Sequence, residues 1–319
     1  MKPSSLLSQQ WFGRFATAVL LYNLPVILWG AYVRASFSGD GCGANWPTCG
    51  GKFLPGQMSV PTAIEYTHRV MTGVDTVLVV ALVVWAFLAY PKRNSVRRYA
   101  VWSLIFLLIE ALLGAGLVLF RLVAKDQSAG RVWYLSAHLT NTMLLLAVLT
   151  ITAWLAYNNQ GWLKLAAIPK RLWTALAFTV FVSITGAITA LGDTLFPAAS
   201  LASGMQQDFS AAASILVRLR VIHPVIAVAV ALYLVWLASR ERAVKASVWV
   251  IVCAIVQVGA GVLNFVLLAP LAMQLVHLLL ADLVWIAVVA LAIGCASRNP
   301  VPLVPEITGR TTVSVRPLA

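Results

Sequence analysis

Long apolar runs dominate this chain, and polar residues gather in short segments between them. Eight runs are each long enough to cross a bilayer as a helix, which takes about 20 residues. They cover residues 15–33, 64–90, 99–120, 132–157, 172–191, 215–237, 248–268 and 271–296. Short segments of alternating polarity, typical of membrane-spanning strands, are absent from the sequence. The pattern predicts an all-α fold: a polytopic membrane protein with an eight-helix transmembrane bundle.

The composition agrees with a membrane protein, since 61% of the 319 residues are hydrophobic and only 10% are charged. Ordinary soluble domains are about 45–50% apolar. The first run is long and rich in aromatic residues, and no small-residue cleavage site follows it. We therefore interpret it as a permanent span and not as a signal peptide.

Lysine and arginine are distributed unequally between the two sides of the predicted bundle. With a cytoplasmic N-terminus, 15 of the 23 basic residues fall on the inner side. Because positively charged short loops stay in the cytoplasm, this predicts cytoplasmic termini in a bacterial inner (plasma) membrane. Topology and anionic inner-leaflet lipid account for the net charge of +13, so the charge calls for no nucleic acid partner.

The eight runs divide into two similar groups of four. The third run contains Glu110-Ala-Leu-Leu-Gly114 and the seventh contains Gln257-Val-Gly-Ala-Gly261, and a run with a single histidine follows each. We interpret this as an internal duplication that gives two pseudo-repeated halves. The predicted segments are an N-terminal half at 1–157, a cytoplasmic linker at 158–171, a C-terminal half at 172–297 and a cytoplasmic tail at 298–319.

Only four histidines occur in the chain, each near the outer end of a different even-numbered run: His68, His138, His223 and His277. A neutral imidazole is a good ligand for iron. Ionisable groups within a membrane are costly and usually functional. The four histidines therefore predict two bis-histidine heme sites. The alternatives are polar contacts between helices and a histidine relay for transport.

Two cysteines seven residues apart, Cys42 and Cys49, lie in the outer loop between the first two runs. On an oxidising face they predict a disulfide, which could either shape the loop or carry electrons. Glu65 lies three residues before His68, so the two share a helix face. Glu65 is a candidate acid, base or charge stabiliser, or else a favourable partner of the helix dipole.

Other polar residues could support these sites. Asp75 and Asp282 could orient the histidine ligands through hydrogen bonds, or they could form polar contacts between helices. Cys253 and Cys295 are expected to be buried free thiols. Arginines at the outer ends of the runs could pair with heme propionates or extend to the membrane interface. They are Arg34, Arg69, Arg131, Arg218 and Arg220.

Three stretches resemble the heme A synthase family: Gly30-Ala-Tyr-Val-Arg34-Ala-Ser, Cys42-Gly-Ala-Asn-Trp46-Pro47-Thr-Cys49-Gly and Glu65-Tyr-Thr-His68-Arg69. With the later histidines, the resemblance covers residues 15–296. It implies an enzyme that oxidises the C8 methyl of heme O to the formyl of heme A, through a hydroxymethyl intermediate. It also implies that His68 and His138 hold the substrate heme, whereas His223 and His277 hold a heme b cofactor.

The resemblance further implies partners: heme O as substrate, heme O synthase, assembly factors of terminal oxidases, membrane lipid, and a second copy in a homo-oligomer. Many bacterial members have a second cysteine pair between the fifth and sixth helices, and this chain has none between Gly192 and Ser214.

Two other classes would use parts of the same pattern. A di-heme b-type cytochrome between quinol and an external acceptor would use the four histidines, and a quinone-linked thiol oxidase would use the cysteine pair. The cysteine pair followed by Glu65-x-x-His68 favours the synthase.

Overall fold

The computed structural model describes residues 3–210 and 213–298, and this part of the chain is helical without β-strands. It forms α1 (Pro3–Ala35), α2 (Val60–Ala89), α3 (Ser95–Leu119), α4 (Ala129–Tyr157), α5 (Lys170–Leu195), α6 (Leu201–Asp208), α7 (Ile215–Arg240), α8 (Ala246–Val266) and α9 (Leu271–Arg298). Eight of them, all except α6, are long and apolar enough to cross a membrane. The predicted all-α class and eight spans are confirmed, and the protein is a multi-pass membrane protein.

Most of the helices begin or end outside the apolar runs that predicted them, whereas α8 ends at Val266, two residues before its predicted end. Polar residues continue a helix outside the lipid, whereas a run of apolar residues marks only the part within it. Side-chain caps then set several of the true starts: Ser59 accepts a hydrogen bond from the Thr62 N–H at the start of α2, and Ser128 accepts one from Arg131 at the start of α4.

One helix was not predicted. The mostly polar α6 has no apolar run to mark it, but Ser200 and Ser203 form a capping box at its start. The predicted linker contains a 3-10 turn at Leu165–Ala167. Most of the predicted tail, residues 299–319, lies outside the described residues.

The spans pack as two groups of four. In the first group α1, α2, α3 and α4 contact one another in order, and α4 closes the ring against α1. In the second group α5, α7, α8 and α9 do the same, and α9 closes against α5. The groups meet where α4 contacts α9 and α5, and where α1 contacts α9. The two groups thus have equivalent helix contacts, and the internal duplication stays a prediction.

Helices α4 and α9 form the interior of the bundle. Of their most apolar stretches, 72% and 61% of the residues are buried, against 17–39% in the other spans. The indole N–H of Trp285 on α9 donates to the carbonyl of Met143 on α4 at 2.7 Å, which joins the two groups. Two of the four histidines, His138 and His277, therefore lie on interior helices.

Candidate functional site

Each imidazole lies against a neighbouring helix of its own group. His68 on α2 contacts α1, and His138 on α4 contacts α3. In the second group, His223 on α7 contacts α5, and His277 on α9 contacts α8. His68 and His138 thus belong to the first group of four spans, and His223 and His277 belong to the second.

Polar side chains on neighbouring helices support three of the imidazoles. Nδ1 of His138 lies 2.7 Å from Oε1 of Glu110. Nδ1 of His223 lies 3.0 Å from the hydroxyl oxygen of Thr185. The side-chain nitrogen of Gln257 lies 3.4 Å from Nε2 of His277. For His138 and His223 the partner lies on Nδ1, which fixes the imidazole and leaves Nε2 for a metal, as in other metal-binding histidines. For His277 the partner lies on Nε2 itself.

The predicted disulfide joins Cys42 to Cys49 and lies in a loop that is fixed to the start of α2. The N–H of Cys42 donates to Oε2 of Glu65 at 2.8 Å, and the guanidinium of Arg69 donates to Oε1 of the same carboxylate. Arg69 also donates to the carbonyls of Asn45 and Thr48, at 2.7 and 2.6 Å. Glu65 and Arg69 therefore hold the disulfide loop on both sides of His68.

Close backbone packing holds the same loop from a second side. The hydroxyl of Thr62 donates to the carbonyl of Gly41 at 2.8 Å. A Cβ atom at Gly41 would lie 2.5 Å from the backbone of Pro61, so only glycine fits there without displacing the loop. We call this arrangement of Glu65, Arg69 and the disulfide loop the loop clasp.

Two further arginines among the proposed propionate partners also bind backbone carbonyls, Arg131 in the loop before α4 and Arg220 at the end of α5. Arg131 donates to the carbonyls of Ala124 and Asp126, at 2.7 and 2.8 Å. Arg220 donates to the carbonyls of Gly192, at 2.7 Å, and Phe196. The sequence did not predict these backbone contacts, and binding of propionates stays a prediction.

Arg220 also contacts two carboxylates. Its Nε lies 3.0 Å from Oδ1 of Asp193, and its Nη1 lies 3.6 Å from Oδ1 of Asp208. Burial raises the pKa of the Asp208 carboxyl, and the positive charge of Arg220 opposes that increase. The outer end of α7, one turn before His223, is thus tied to α5 and α6.

The other two arginines differ in their surroundings. Arg34 on α1 donates to the hydroxyl of Thr194 on α5 and to the side-chain carbonyl of Gln274 on α9, each at 3.2 Å. It thereby joins the two groups of helices at the end of the bundle where the disulfide loop lies. Arg218 is exposed near the start of α7.

The two intramembrane aspartates are buried. Asp75 on α2 accepts a hydrogen bond from the side chain of Asn23 on α1 at 3.0 Å, so it forms a polar contact between helices, one of its two predicted roles. Oδ2 of Asp282 has no hydrogen-bond partner among the described residues. Cys253 and Cys295 are free thiols, as predicted, and Cys295 is buried. The prediction that Cys253 is buried was wrong, because it is only half-buried.

Residues 56–289 match the COX15-CtaA family of cytochrome oxidase assembly proteins. The chain belongs to this family. It is similar to a Thermus thermophilus protein named protoheme IX farnesyltransferase, with 42% identity over 295 residues, which is 89% of this chain and 48% of that protein.

Two proteins named heme A synthase are also similar to this family member. The one from Exiguobacterium sibiricum is 33% identical over 177 residues, 54% of this chain and 57% of its own. The one from Exiguobacterium sp. is 42% identical over 107 residues, 34% of this chain and 36% of its own. The chain thus spans about half the length, or less, of the curated relatives it matches.

Sequence reasoning missed the partners of the imidazoles. Glu110 and Gln257 were noted as repeated positions but not as neighbours of His138 and His277. A signal was present, because each lies four residues before a glycine on the helix that precedes the histidine helix. Thr185, the partner of His223, gave no signal, since threonine is common in membrane helices.

Proposed function

We propose that this protein is a heme A synthase, which oxidises the C8 methyl of heme O to a formyl group. The observation that carries the proposal is an asymmetry between two otherwise similar imidazole pairs. Only the pair of His68 and His138 lies beside the loop clasp with its buried carboxylate and disulfide. One pair is thus equipped for chemistry on a bound heme, and the other for holding one.

Corresponding positions in the two groups carry opposite charges. The residue three positions before the α2 histidine is Glu65, whereas the residue three positions before the α7 histidine is Arg220. Glu65 is 3% exposed and Arg220 is 9% exposed. We propose that the acidic position belongs to the substrate site and the basic position to the cofactor site.

We propose that His223 and His277 hold heme b. Thr185 can fix Nδ1 of His223, and Nδ1 of His277 is buried without a hydrogen-bond partner among the described residues. Two imidazoles from different helices are a donor set that fits heme iron. When bound, heme b supplies one-electron redox chemistry.

The proposed reaction removes four electrons from the substrate methyl. With water as the oxygen donor, the balance is a methyl and one water giving a formyl, four protons and four electrons, which an external acceptor receives. The steps are a hydroxymethyl and then a gem-diol that loses water. Glu65, one helical turn from His68, would stabilise positive charge on the substrate ring and accept a proton.

The Thermus relative supports heme O as the substrate. Its name describes farnesyl transfer to protoheme IX, and this chain matches only 48% of its length. Farnesyl transfer to protoheme supplies the farnesylated heme that the proposed oxidation consumes. We therefore propose heme O synthase as a partner, in a bacterial plasma membrane, with both termini of the chain cytoplasmic.

The test is mass-resolved chromatography of the hemes extracted from the purified protein after co-expression with heme O synthase. We expect heme B together with heme O, hydroxylated heme O or heme A in the unsubstituted protein. His68→Ala should lose the last three and retain heme B. Heme B alone in the unsubstituted protein would support an electron-transferring cytochrome. Farnesylation of protoheme without the synthase would support a farnesyltransferase.

Glu65→Gln tests the role of the buried carboxylate. Glutamine keeps the size and the acceptor for the Cys42 N–H but removes the charge, so both hemes should remain bound. We expect conversion of heme O to fall by about 10²- to 10⁴-fold. The matched control is Glu241→Gln, which removes another carboxylate paired with an arginine, Arg171, away from the four histidines. Full conversion by Glu65→Gln would contradict the proposed role.

A further inference from the structure

A glycine faces each of the four imidazoles from the neighbouring helix. The pairs are Gly30 with His68, Gly114 with His138, Gly186 with His223, and Gly261 with His277. In every pair the glycine and the histidine belong to the same group of four spans. The contacts repeat between groups, because α1 faces α2 as α5 faces α7, and α3 faces α4 as α8 faces α9.

Three of these contacts are too tight for a side chain unless the imidazole shifts by at least a few tenths of an ångström. A Cβ atom at Gly186 would lie 2.9 Å from Cε1 of His223. At Gly30 and Gly261 the corresponding distance to the imidazole Cε1 is 3.0 Å. Carbon atoms make favourable contacts at about 3.5–4.0 Å, so even the methyl of alanine would push each ring aside.

The fourth contact is looser. A Cβ atom at Gly114 would lie 3.6 Å from Nε2 of His138, which is an ordinary van der Waals distance. The four glycine–histidine contacts therefore differ in tightness. The methyl of an added alanine would displace the imidazole in three of them and would fit beside the imidazole in the fourth.

Glycine is otherwise unfavourable at these positions. It is disfavoured in the interior of a helix relative to alanine, because it has more backbone freedom to lose. Two helix glycines lack such a contact and serve as references: a Cβ atom at Gly73 on α2 or at Gly259 on α8 would meet nothing within 4 Å. Other helix glycines, such as Gly116 and Gly294, also lie in tight contacts, but their neighbours are Tyr134 and Val244 and not an imidazole.

We infer that Gly30, Gly186 and Gly261 are positioning residues that set where the iron-ligating imidazoles stand. This inference rests on the proposed function, because it takes the histidines as heme ligands. A ring that lies directly against a helix backbone cannot tilt toward that helix. Each glycine therefore limits the tilt of its ligand, in the way that a side-chain partner on Nδ1 limits its rotation.

The test compares four glycine substitutions with two matched controls in the purified, heme-loaded protein. The test variants are Gly30→Ala, Gly186→Ala, Gly261→Ala and Gly114→Ala, and the controls are Gly73→Ala and Gly259→Ala. The readouts are the ratio of each heme to protein and the g-values of the low-spin ferric hemes in electron paramagnetic resonance.

We expect Gly186→Ala and Gly261→Ala to lower retention of heme b by about tenfold, or to shift its g-values if the heme is retained. Gly30→Ala should do the same to the substrate heme alone. Gly114→Ala and both controls should match the unsubstituted protein. Because all six changes place alanine in a helix, a difference among them reports the contact and not helix propensity.

Several outcomes would overturn the inference. The inference is wrong if the heme-to-protein ratios and g-values are unchanged in Gly30→Ala, Gly186→Ala and Gly261→Ala. It is also wrong if the two control variants lose as much heme as these three. A variant that does not fold is recognised by gel filtration of the apoprotein, and the other two tight contacts then decide. If the unsubstituted protein binds heme but makes no heme A, the proposed function fails while this comparison still stands. If it binds no heme, both fail.

Discussion

Replacing Arg220 with methionine tests how strongly the outer end of the C-terminal group depends on one buried guanidinium. Arg220 is 9% exposed and contacts the carboxylates of Asp193 and Asp208 and the carbonyls of Gly192 and Phe196. Methionine keeps most of the apolar stem but removes every one of these donors. The variant leaves two acidic groups and two carbonyls without their cation.

The expected loss of stability follows from burial. Removing one partner of a buried ion pair costs about 3–5 kcal/mol. The side chains of Asp193 and Asp208 retain 23% and 11% exposure, so water screens part of the loss and we expect the lower limit, about 3 kcal/mol. Arg171→Met is the control, because the Arg171 side chain is 53% exposed and its pair with Glu241 should contribute about 0–1 kcal/mol.

The loss of stability in Arg220→Met should also depend on pH. Burial raises the pKa of Asp208 and Arg220 lowers it, so the substitution raises that pKa further. A raised pKa means that the folded state holds its proton more tightly than the unfolded state does. The variant should therefore regain part of its stability as the pH falls through the raised pKa.

Thermal unfolding in detergent provides the assay, with a thiol-reactive dye that reports exposure of Cys253 and Cys295. For a protein of this size, each kcal/mol lowers the unfolding temperature by roughly 2–4 °C or less. The unfolding temperature should therefore fall by several degrees for Arg220→Met and by less for Arg171→Met. A shift for Arg220→Met no larger than that of the control would refute the reasoning about burial. A deficit independent of pH would refute the part assigned to Asp208.

Three further predictions follow from single contacts. Thr185→Val removes the partner of His223 Nδ1 at nearly constant size, and it should weaken heme b retention about tenfold in heme titrations. Thr179→Val is the control and should retain heme b normally, because the hydroxyl of Thr179 bonds only to its own helix. Asn23→Leu leaves the buried Asp75 without its donor and should lower stability by about 1–3 kcal/mol in thermal unfolding; full stability in this variant would contradict the contact. Replacing Cys42 and Cys49 with serine removes a disulfide between residues seven apart, which should lower the free energy of unfolding by about 2 kcal/mol. The opened loop should be cleaved faster by protease at the exposed Lys52. Normal heme O conversion in that variant would leave the disulfide only a structural role.

The spans and the disulfide could be predicted because each depends on local sequence. Apolar length sets a membrane helix, and two cysteines close in sequence on one outer loop can reach each other. The partners of the imidazoles could not be predicted in the same way. Whether Glu110 contacts His138 depends on the rotation of α3 against α4, and single-sequence periodicity does not fix the rotation of a helix that is apolar on all sides.

The arginines illustrate the same limit. The sequence marks Arg69 and Arg131 as candidates for propionate binding, but in the structure both donate to backbone carbonyls of loops. A loop carbonyl carries no sequence signature, because every residue has one. The amphipathic α6 escaped prediction for a related reason, since eight mostly polar residues leave no apolar run.

The interior position of α4 and α9 has a consequence for the synthesis of this protein. The fourth and the eighth span each carry a histidine and cover each other, joined by the bond from Trp285 to Met143. Because spans leave the ribosome in order, α4 enters the membrane four spans before α9 exists. Until then the face of α4 that contacts α9 must be covered by lipid or by an insertion factor. The ring of the first group can close as soon as α4 is inserted, whereas the ring of the second group, with His223 and His277, closes only when α9 has entered the membrane.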